Sequence, residues 1–448
     1  MGAFSKIFQR LRLTADTSVT TQTSTVIQAD TTNASLVLAP NGTGAIIASV
    51  PDGTLTGGNS RGTNAVDLQL NRNAANEVAS GNYSFIGGGI GNKSTNIYSS
   101  ITGGEGNTTS GAWCFIGNGF SNTASTNWST ISGGQTNTAS TNTHATVVGG
   151  LSNTSSGQFS ISGGQLNNAS GQGAVTLGTS NTASSNYSTI SGGQSNTAST
   201  NSHATVVGGL SNTSSGLWSI SGGNGNTASA SATISLGRSN TSSGNYSFSG
   251  GYGVTASGIY SFAFGGNQTI ASKDFAVALG NMSLGYLYGM FAFSSGQTGA
   301  AYDNQYSILL AKREASLTTA ATTVLSLDGT GTTNLILSFA SNRIWNVQID
   351  TVAVVTAITG TATGVTVGDC YRETKQLLFK RIGGTSSIVG TVDTTSIKSD
   401  TSMSACAMTI TAGASQEMTL TFTAPTFTGG GSVTCRVVSK VSLVEVAY

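Results

Sequence analysis

The stretch STISGGQTNTASTNTHATVVGGLSNTSSG, residues 129–157, returns almost unchanged as STISGGQSNTASTNSHATVVGGLSNTSSG at residues 188–216. Each copy contains two Gly-Gly-x-x-Asn steps. Working outward, this step or a close variant recurs every 14 to 16 residues and aligns Asn92, Asn107, Asn122, Asn137, Asn153, Asn167, Asn181, Asn196, Asn212, Asn226 and Asn240, followed by Val254, Thr269 and Ser283. Self-similarity at a fixed period marks a solenoid. A unit of this length has room for two short strands and two turns, which is one coil of a β-roll. The duplication extends over 129–187 and 188–246, a four-coil block copied whole. A chain that grows by copying coils is being made longer, as fibres and stalks are.

The repeat carries its own structural expectations. The Gly pair permits a tight corner and close backbone approach, the Asn after it suits the left-handed conformation, and stacked Asn side chains form a hydrogen-bonded ladder. The apolar residues before each Gly pair (Ile131, Val148, Ile161, Leu177, Ile190, Val207, Ile220, Leu236), with Ala124, Ala139, Ala169 and Ala183, are expected to fill the inner face. Such a core is thin. A slender roll needs a second apolar contact, and a threefold bundle of rolls supplies one.

Composition narrows the function classes. Charged residues are 8% of the 448, and none occurs from Gly106 to Gly237. Typical soluble domains carry about 25%. The net charge is +1 and there is no basic stripe, so nucleic-acid binding is not expected. Cys114, Cys370, Cys406 and Cys435 lack metal or redox spacing, and the three in the C-terminal region cannot all pair within one chain. They are expected to be reduced. The first residues do not read as a secretory signal, because Lys6, Gln9, Arg10 and Arg12 interrupt the apolar run. No stretch has the length to span a bilayer as a helix.

The chain divides into three parts. Residues 1–80 read as an attachment region. Phe4, Ile7, Phe8 and Leu11 fall on one face of a short helix, with Lys6, Arg10 and Arg12 on the other, and short strands are expected at 25–28, 36–39 and 45–48. Residues 81–290 are the repeat body. Residues 291–448 regain charge, twenty charged residues from Asp303 onward. Alternating runs at 344–355, 376–379, 408–411, 418–422 and 433–447 there predict a β-sandwich. The fold class is thus all-β: a parallel β-roll solenoid with a C-terminal sandwich.

One position per coil is nearly always a ring: Tyr83, Tyr98, Trp113, Trp128, His144, Phe159, Tyr187, His203, Trp218, Tyr246, Tyr260 and Phe275, interrupted at Gly173 and Ala232. The structural reading is a packing ladder. The functional reading is a stacking surface for sugars, with Trp128, His144, His203 and Trp218 as the strongest candidates. His144 and His203 lie four coils apart, about 19 Å by strand spacing, so one chain cannot bring both onto one metal ion. Catalytic chemistry is thinly supplied. Glycoside hydrolysis needs two carboxylates within about 10 Å. The charge-free span has none, and Asp350, Asp369 and Glu373 are the acids noted in the C-terminal region. No nucleophile elbow, zinc signature or calcium-repeat Asp is present, so no catalytic, metal or cofactor site is expected.

YSFAFGGNQTIASKDFAVALGNMS (260–283) resembles the left-handed β-roll heads of YadA-like trimeric adhesins. The chain departs from those adhesins in lacking a heptad stalk and a membrane-spanning anchor. SLVLAPNGTGAIIASVPDGTLTGGNSRGTNAVDLQ (35–69) resembles a module preceding such rolls in fibres of tailed bacteriophages, and TTVLSLDGT (322–330), WNVQIDTVAVV (345–355), GGTSSIVGT (383–391) and LVEVAY (443–448) resemble their closing β-sandwich. The resemblance implies a homotrimeric virion fibre made without a signal peptide. It would be anchored through its N-terminus, residues Phe4, Ile7, Phe8 and Leu11 among them, to other virion proteins. Its shaft and tip would meet a host-surface glycan or protein, with no membrane insertion and no cofactor. A depolymerase, a purely architectural fibre and an ice-binding solenoid remain as alternatives.

Overall fold

The computed structural model describes residues 40, 42–296, 304–331, 335–336, 342–413 and 417–447. The expected helix with Phe4, Ile7, Phe8 and Leu11, and the expected strands at 25–28 and 36–39, lie outside the described residues. Apart from one short 3-10 turn at Thr401–Met403, the regular structure described is all β.

Strands stack in parallel from Ile46–Ile47, through Val66–Asp67 and Phe85–Ile86, to Phe291–Ser295, one per coil, and form the broad sheet of a solenoid. The opposite wall is a narrow sheet of 14 two-residue strands from Lys93–Ser94 to Leu284–Gly285. At about 4.8 Å per strand, this wall is roughly 62 Å long.

Each coil turns through two corners where a residue adopts the left-handed backbone. One corner is the ring column; the other is the residue just before the Asn, such as Ser121, Thr136 and Ser152. Strand amides donate to the following coil, as Thr130 N does to Ala145 O. At the corners the left-handed backbone reverses this, so Trp128 N donates back to Ala112 O and Ser121 N back to Glu105 O. The sequence reading that put the Asn itself in this conformation is corrected: none of the eleven repeat asparagines has positive φ. They are buried instead. Asn122 Nδ2 donates to Asn107 Oδ1 (3.0 Å) and to Gly134 O (2.8 Å), while Asn107 Oδ1 also accepts from Asn122 N (3.0 Å). The expected ladder is real, and it satisfies backbone groups that a thin core would otherwise strand. The second Gly of each pair is required by contact. A Cβ on Gly134 would lie 2.1 Å from Gly150 O and 2.7 Å from Asn137 Nδ2.

Glutamines close the stack at both ends. Gln69 Nε2 donates to Asn92 O (2.8 Å) while Gln69 Oε1 accepts from Asn92 N (3.0 Å). At the far end Gln305 makes the same pair of bonds with Leu284 O and Leu284 N. The first coils are further closed by Asp67, buried between Arg61 (2.8 Å) and Arg72 (3.4 Å).

The core differs from the sequence expectation in one respect. Ile131 and Ile190 point inward and are fully buried, as are Ala124, Ala139, Ala169 and Ala183. Val148 (52% exposed), Val207 (54%) and Ile161 (37%) point outward, and Leu177, Ile220 and Leu236 lie half-exposed on the same outer face. Strand register explains it. Ile131 aligns with Val147, and Val147 with Ser162, while Gly150 aligns with Gly164, so the spacing from the inward-facing position to the Gly pair shortens by one between coils. A shift of one residue moves a side chain to the other face. From residue 161 onward the inward position is usually Ser, Thr or Ala: Ser162, Thr176, Ser221, Ser235, Ser249, Ala263, Ala278 and Ala292 are all buried, with Ile190 and Val206 as the exceptions.

The chain then reverses. Asn304–Leu317 pairs antiparallel with Phe291–Ser295, matching Phe291 to Ile308 and Phe293 to Tyr306. The broad sheet therefore continues without a break into a C-terminal sheet ordered Asn304–Leu317, Gly431–Ala447, Arg343–Gly360, Cys370–Ile382, Thr385–Ser399. A smaller sheet of Thr322–Val324, Leu335–Ile336, Ala407–Ala412 and Glu417–Thr423 packs on it. Trp345, Val347 and Phe379 of the first and Met408, Met418, Leu420 and Phe422 of the second share one core. The sequence runs at 344–355, 376–379, 408–411, 418–422 and 433–447 all lie in strands, most of them longer than expected. Asn304–Leu317 and Thr385–Ser399 escaped sequence reading. The first mixes Lys312, Arg313 and Glu314 into its alternation, and the second is a Ser/Thr-rich edge strand with little buried side.

Candidate functional site

The ring column forms a ladder along one corner of the solenoid. Every member sits at the left-handed corner preceding a broad-sheet strand, with φ between 55° and 63°. A bulky residue is disfavoured there, and Gly173 holds the same conformation in its own coil (φ 62°). Stacking against rings one coil away offsets the cost.

The ladder is broken into three runs. Tyr83, Tyr98, Trp113, Trp128, His144 and Phe159 stack with centroids 4.9–5.7 Å apart. Tyr187, His203 and Trp218 form the second run, at 5.2 and 6.5 Å. Tyr246, Tyr260 and Phe275 form the third, at 4.8 and 5.2 Å, and Tyr288 closes it edge-on. Gly173 and Ala232 are the breaks.

This geometry sorts the four sequence candidates. Trp128 is sandwiched between Trp113 (interplanar 3°) and His144 (7°), and His144 between Trp128 and Phe159. His203 lies between Tyr187 and Trp218. Their faces are used by the ladder, and solvent meets mainly their edges. A sugar stacks on a ring face, so only Trp218, whose far side borders Ala232, keeps a face available. The histidines lie in different runs. Among the described residues no group of three His, Cys, Asp or Glu is placed to hold a metal.

Asp350, Asp369 and Glu373, the acids noted in the sequence, do not converge on one another, although Asp369 shares a cleft with Asp400. Asp350 faces outward and bonds Lys440 (2.9 Å) and Thr374 (2.9 Å). Glu373 pairs in register with Thr351, on the opposite face of the sheet, and holds Lys375 (2.9 Å) and Met408 N (2.9 Å). Asp369 lines an open polar cleft of about 600 Å³ with Thr366, Asp400 and Ser402. Its carboxylate accepts from Ser402 Oγ (2.6 Å), Thr366 Oγ1 (2.6 Å) and Thr366 N (2.7 Å). These bonds, that of Ser402 first, hold its pKa below the ordinary 3.8, the wrong direction for a general acid that must stay protonated. Among the cysteines, burial pushes the Cys406 thiol up to about 12 and the Cys435 thiol to about 11, so both are unreactive.

Sequence reading missed the outward apolar face of the broad sheet: Phe262, Phe264, Val277, Leu279, Phe291 and Phe293, continued by Tyr306 and Leu310. The signal was present in Phe262-Ala263-Phe264 and Phe291-Ala292-Phe293. A strand with Phe on both sides of Ala must turn either the two rings or the single methyl inward, and here Ala263 and Ala292 are the buried residues.

No protein-family model matches the chain, and no curated protein sequence is similar to it. Among solved structures, it is similar to the tailspike protein of Acinetobacter baumannii phage AM24, at 8% identity over 86% of this chain and 68% of that one, with a TM-score of 0.22. It is also similar to the tailspike protein of Acinetobacter phage vB_ApiP_P1, at 9% identity over 90% and 80%, with a TM-score of 0.22. At these values neither likeness carries a functional argument.

Proposed function

We propose that this chain is a homotrimeric fibre of a tailed-phage virion. Residues 1–80 attach it to the particle, 81–290 form a rigid shaft, and 291–448 form a tip that meets the host surface. It binds a host glycan without cleaving it. One observation carries the reading: the solenoid turns large apolar side chains outward along the broad sheet, in a strip from Val148 to Phe293, interrupted at the coil of Thr189 and Ser191 and continuing into Tyr306 and Leu310. An apolar face this long is a contact surface, and copies of the same chain, in matching register, present a strip of equal length. The fibre motifs at 35–69 and 322–448 support the virion setting. Affinity for cells would arise from several weak sites on three chains acting together.

Competition tests this directly. Purified full-length protein, added to host cells before the parent phage, is expected to reduce adsorption in a dose-dependent way. Undiminished adsorption at saturating protein contradicts host binding. Incubation with host capsule or lipopolysaccharide is expected to leave chain length unchanged, and shortening would replace the binding role with a depolymerase.

A further inference from the structure

We propose that the two breaks in the ring ladder are glycan slots, each taking one pyranose ring in place of the missing rung. This rests on the host-glycan reading above and names where on the shaft the sugar sits. The first slot lies between Phe159 and Tyr187 at Gly173. The second lies between Trp218 and Tyr246 at Ala232. They occupy the same place in the duplicated blocks, four coils apart, or about 19 Å along the fibre.

Three observations point to a ligand. First, Phe159, Trp218 and Tyr246 beside the breaks are 53–59% exposed, whereas Tyr98, Trp113, Trp128 and Tyr260, stacked on both faces, are 45–52% exposed; Tyr187, which leans into its gap, is 51% exposed. Second, the width is right. Two coils separate the walls by about 9.6 Å, so a flat ring midway lies about 4.8 Å from either wall. The rungs keep 4.8–5.7 Å between themselves in most of the ladder. Third, the surroundings suit a sugar. At the Gly173 slot Gln158 and Gln172 are half-buried, and their side-chain amides make no hydrogen bond among the described residues; Leu217 and Ser231 hold the corresponding places at the Ala232 slot. A pyranose has an apolar C–H face for the walls and hydroxyls for such amides at its rim. A purely aromatic occupant would leave those amides unused. The Ala232 slot is the more open of the two. At Gly173 the Tyr187 ring leans over the gap, 3.0 Å from where a Cβ would sit, and must swing aside.

Restoring the missing rung separates recognition from folding. Trp already occupies this corner in three coils at φ 55–57°, and Ala232 has φ 53°, so Ala232→Trp and Gly173→Trp fill the slots from within. The probe is a printed array of bacterial lipopolysaccharide and capsular oligosaccharides, read with labelled full-length protein. Wild type is expected to bind a subset of these glycans. Trp218→Ala and the Gly173→Trp/Ala232→Trp double variant are expected to lose at least tenfold of that signal. The filled variant should melt no lower than wild type, which excludes misfolding as the cause. Undiminished binding by the filled variant, or no array binding by wild type, overturns the slots. If the filled variant binds as wild type and still blocks phage adsorption, the slots fail and the adhesion reading stands. If wild type fails to block adsorption, the adhesion reading itself falls.

Discussion

Coils near residue 100 and coils near residue 263 share one backbone path, yet they are turned inside out in polarity. At Ser100-Ile101-Thr102 the apolar residue is buried and polar neighbours face out. At Phe262-Ala263-Phe264 a methyl is buried and two rings face out. The path is held by features that do not depend on which face is apolar: the glycine corners, the left-handed positions and the coil-to-coil hydrogen bonds. The early coils bury apolar side chains within one chain, whereas the late coils turn their larger apolar side chains outward, onto the face that the proposed trimer would cover.

The comparison breaks most easily at the outer face of the late coils. Replacing Phe264 and Phe293 together with Ser is expected to dissociate the trimer while leaving the β-rich circular dichroism of each chain intact. At about 2 kcal/mol per covered side chain, with both positions lost in all three chains, this is the largest effect foreseen. A double variant that stays trimeric at micromolar concentration would show that the strip is not the interface.

Inward substitutions sharpen the contrast between the two kinds of coil. Ile101→Ala should cost about 2–4 kcal/mol, as a core truncation does. Ser221→Ala should be neutral or stabilising by about 1 kcal/mol, because its buried Oγ has no hydrogen-bond partner among the described residues and its removal ends a desolvation penalty. Denaturant melts of both variants measure this. A large loss from Ser221→Ala would mean that the late interior depends on its hydroxyls.

The asparagine ladder is predicted to matter equally in both regions. Asn137→Ala removes the bonds from Nδ2 to Gly133 O and Gly150 O and the acceptor used by Asn153 N. Stranding these buried groups is expected to cost about 2–4 kcal/mol. Hydrogen exchange should show opening centred on the coils around residue 137. Protection unchanged from wild type would remove the ladder as a stabilising element.

The smallest effect concerns the tip. The Asp369 pKa is lowered in the fold by Ser402 and Thr366. Its contribution is therefore present above the unfolded carboxylate value and is lost as pH falls through the lower folded value. Asp369→Asn should lower the melting temperature slightly at neutral pH, where this contribution is present, and match wild type well below about pH 4, so that the acid limb flattens. A variant as acid-sensitive as wild type would assign that limb to other groups.

Much of the fold was legible because the repeat imposes it. Gly and Asn at fixed spacing expose the coil period, and the ring column was visible as a column before any coordinates. What the sequence concealed was phase. Ile131 and Ile161 stand at the same step before their Gly pairs, and only the pairing of Val147 with Ser162 reveals that the inward position has moved one residue closer to the Gly pair and that the chain has changed which face it buries. The caps were hidden for a similar reason, since Gln69 and Gln305 are single residues whose partners lie 23 and 21 positions away. In the ladder the ring identities were legible, but not which faces were already covered. That depended on stacking geometry, and it moved the candidate site from Trp128 and His144 to the breaks beside Trp218.

The central claim is that the outward apolar strip is covered by copies of the same chain. Light scattering on the purified full-length protein tests it most directly. A mass near three times 44.9 kDa, persisting at micromolar dilution, is the predicted result. A stable monomer at the same concentration would contradict the account, because the Phe262 to Phe293 face would then stand uncovered in water.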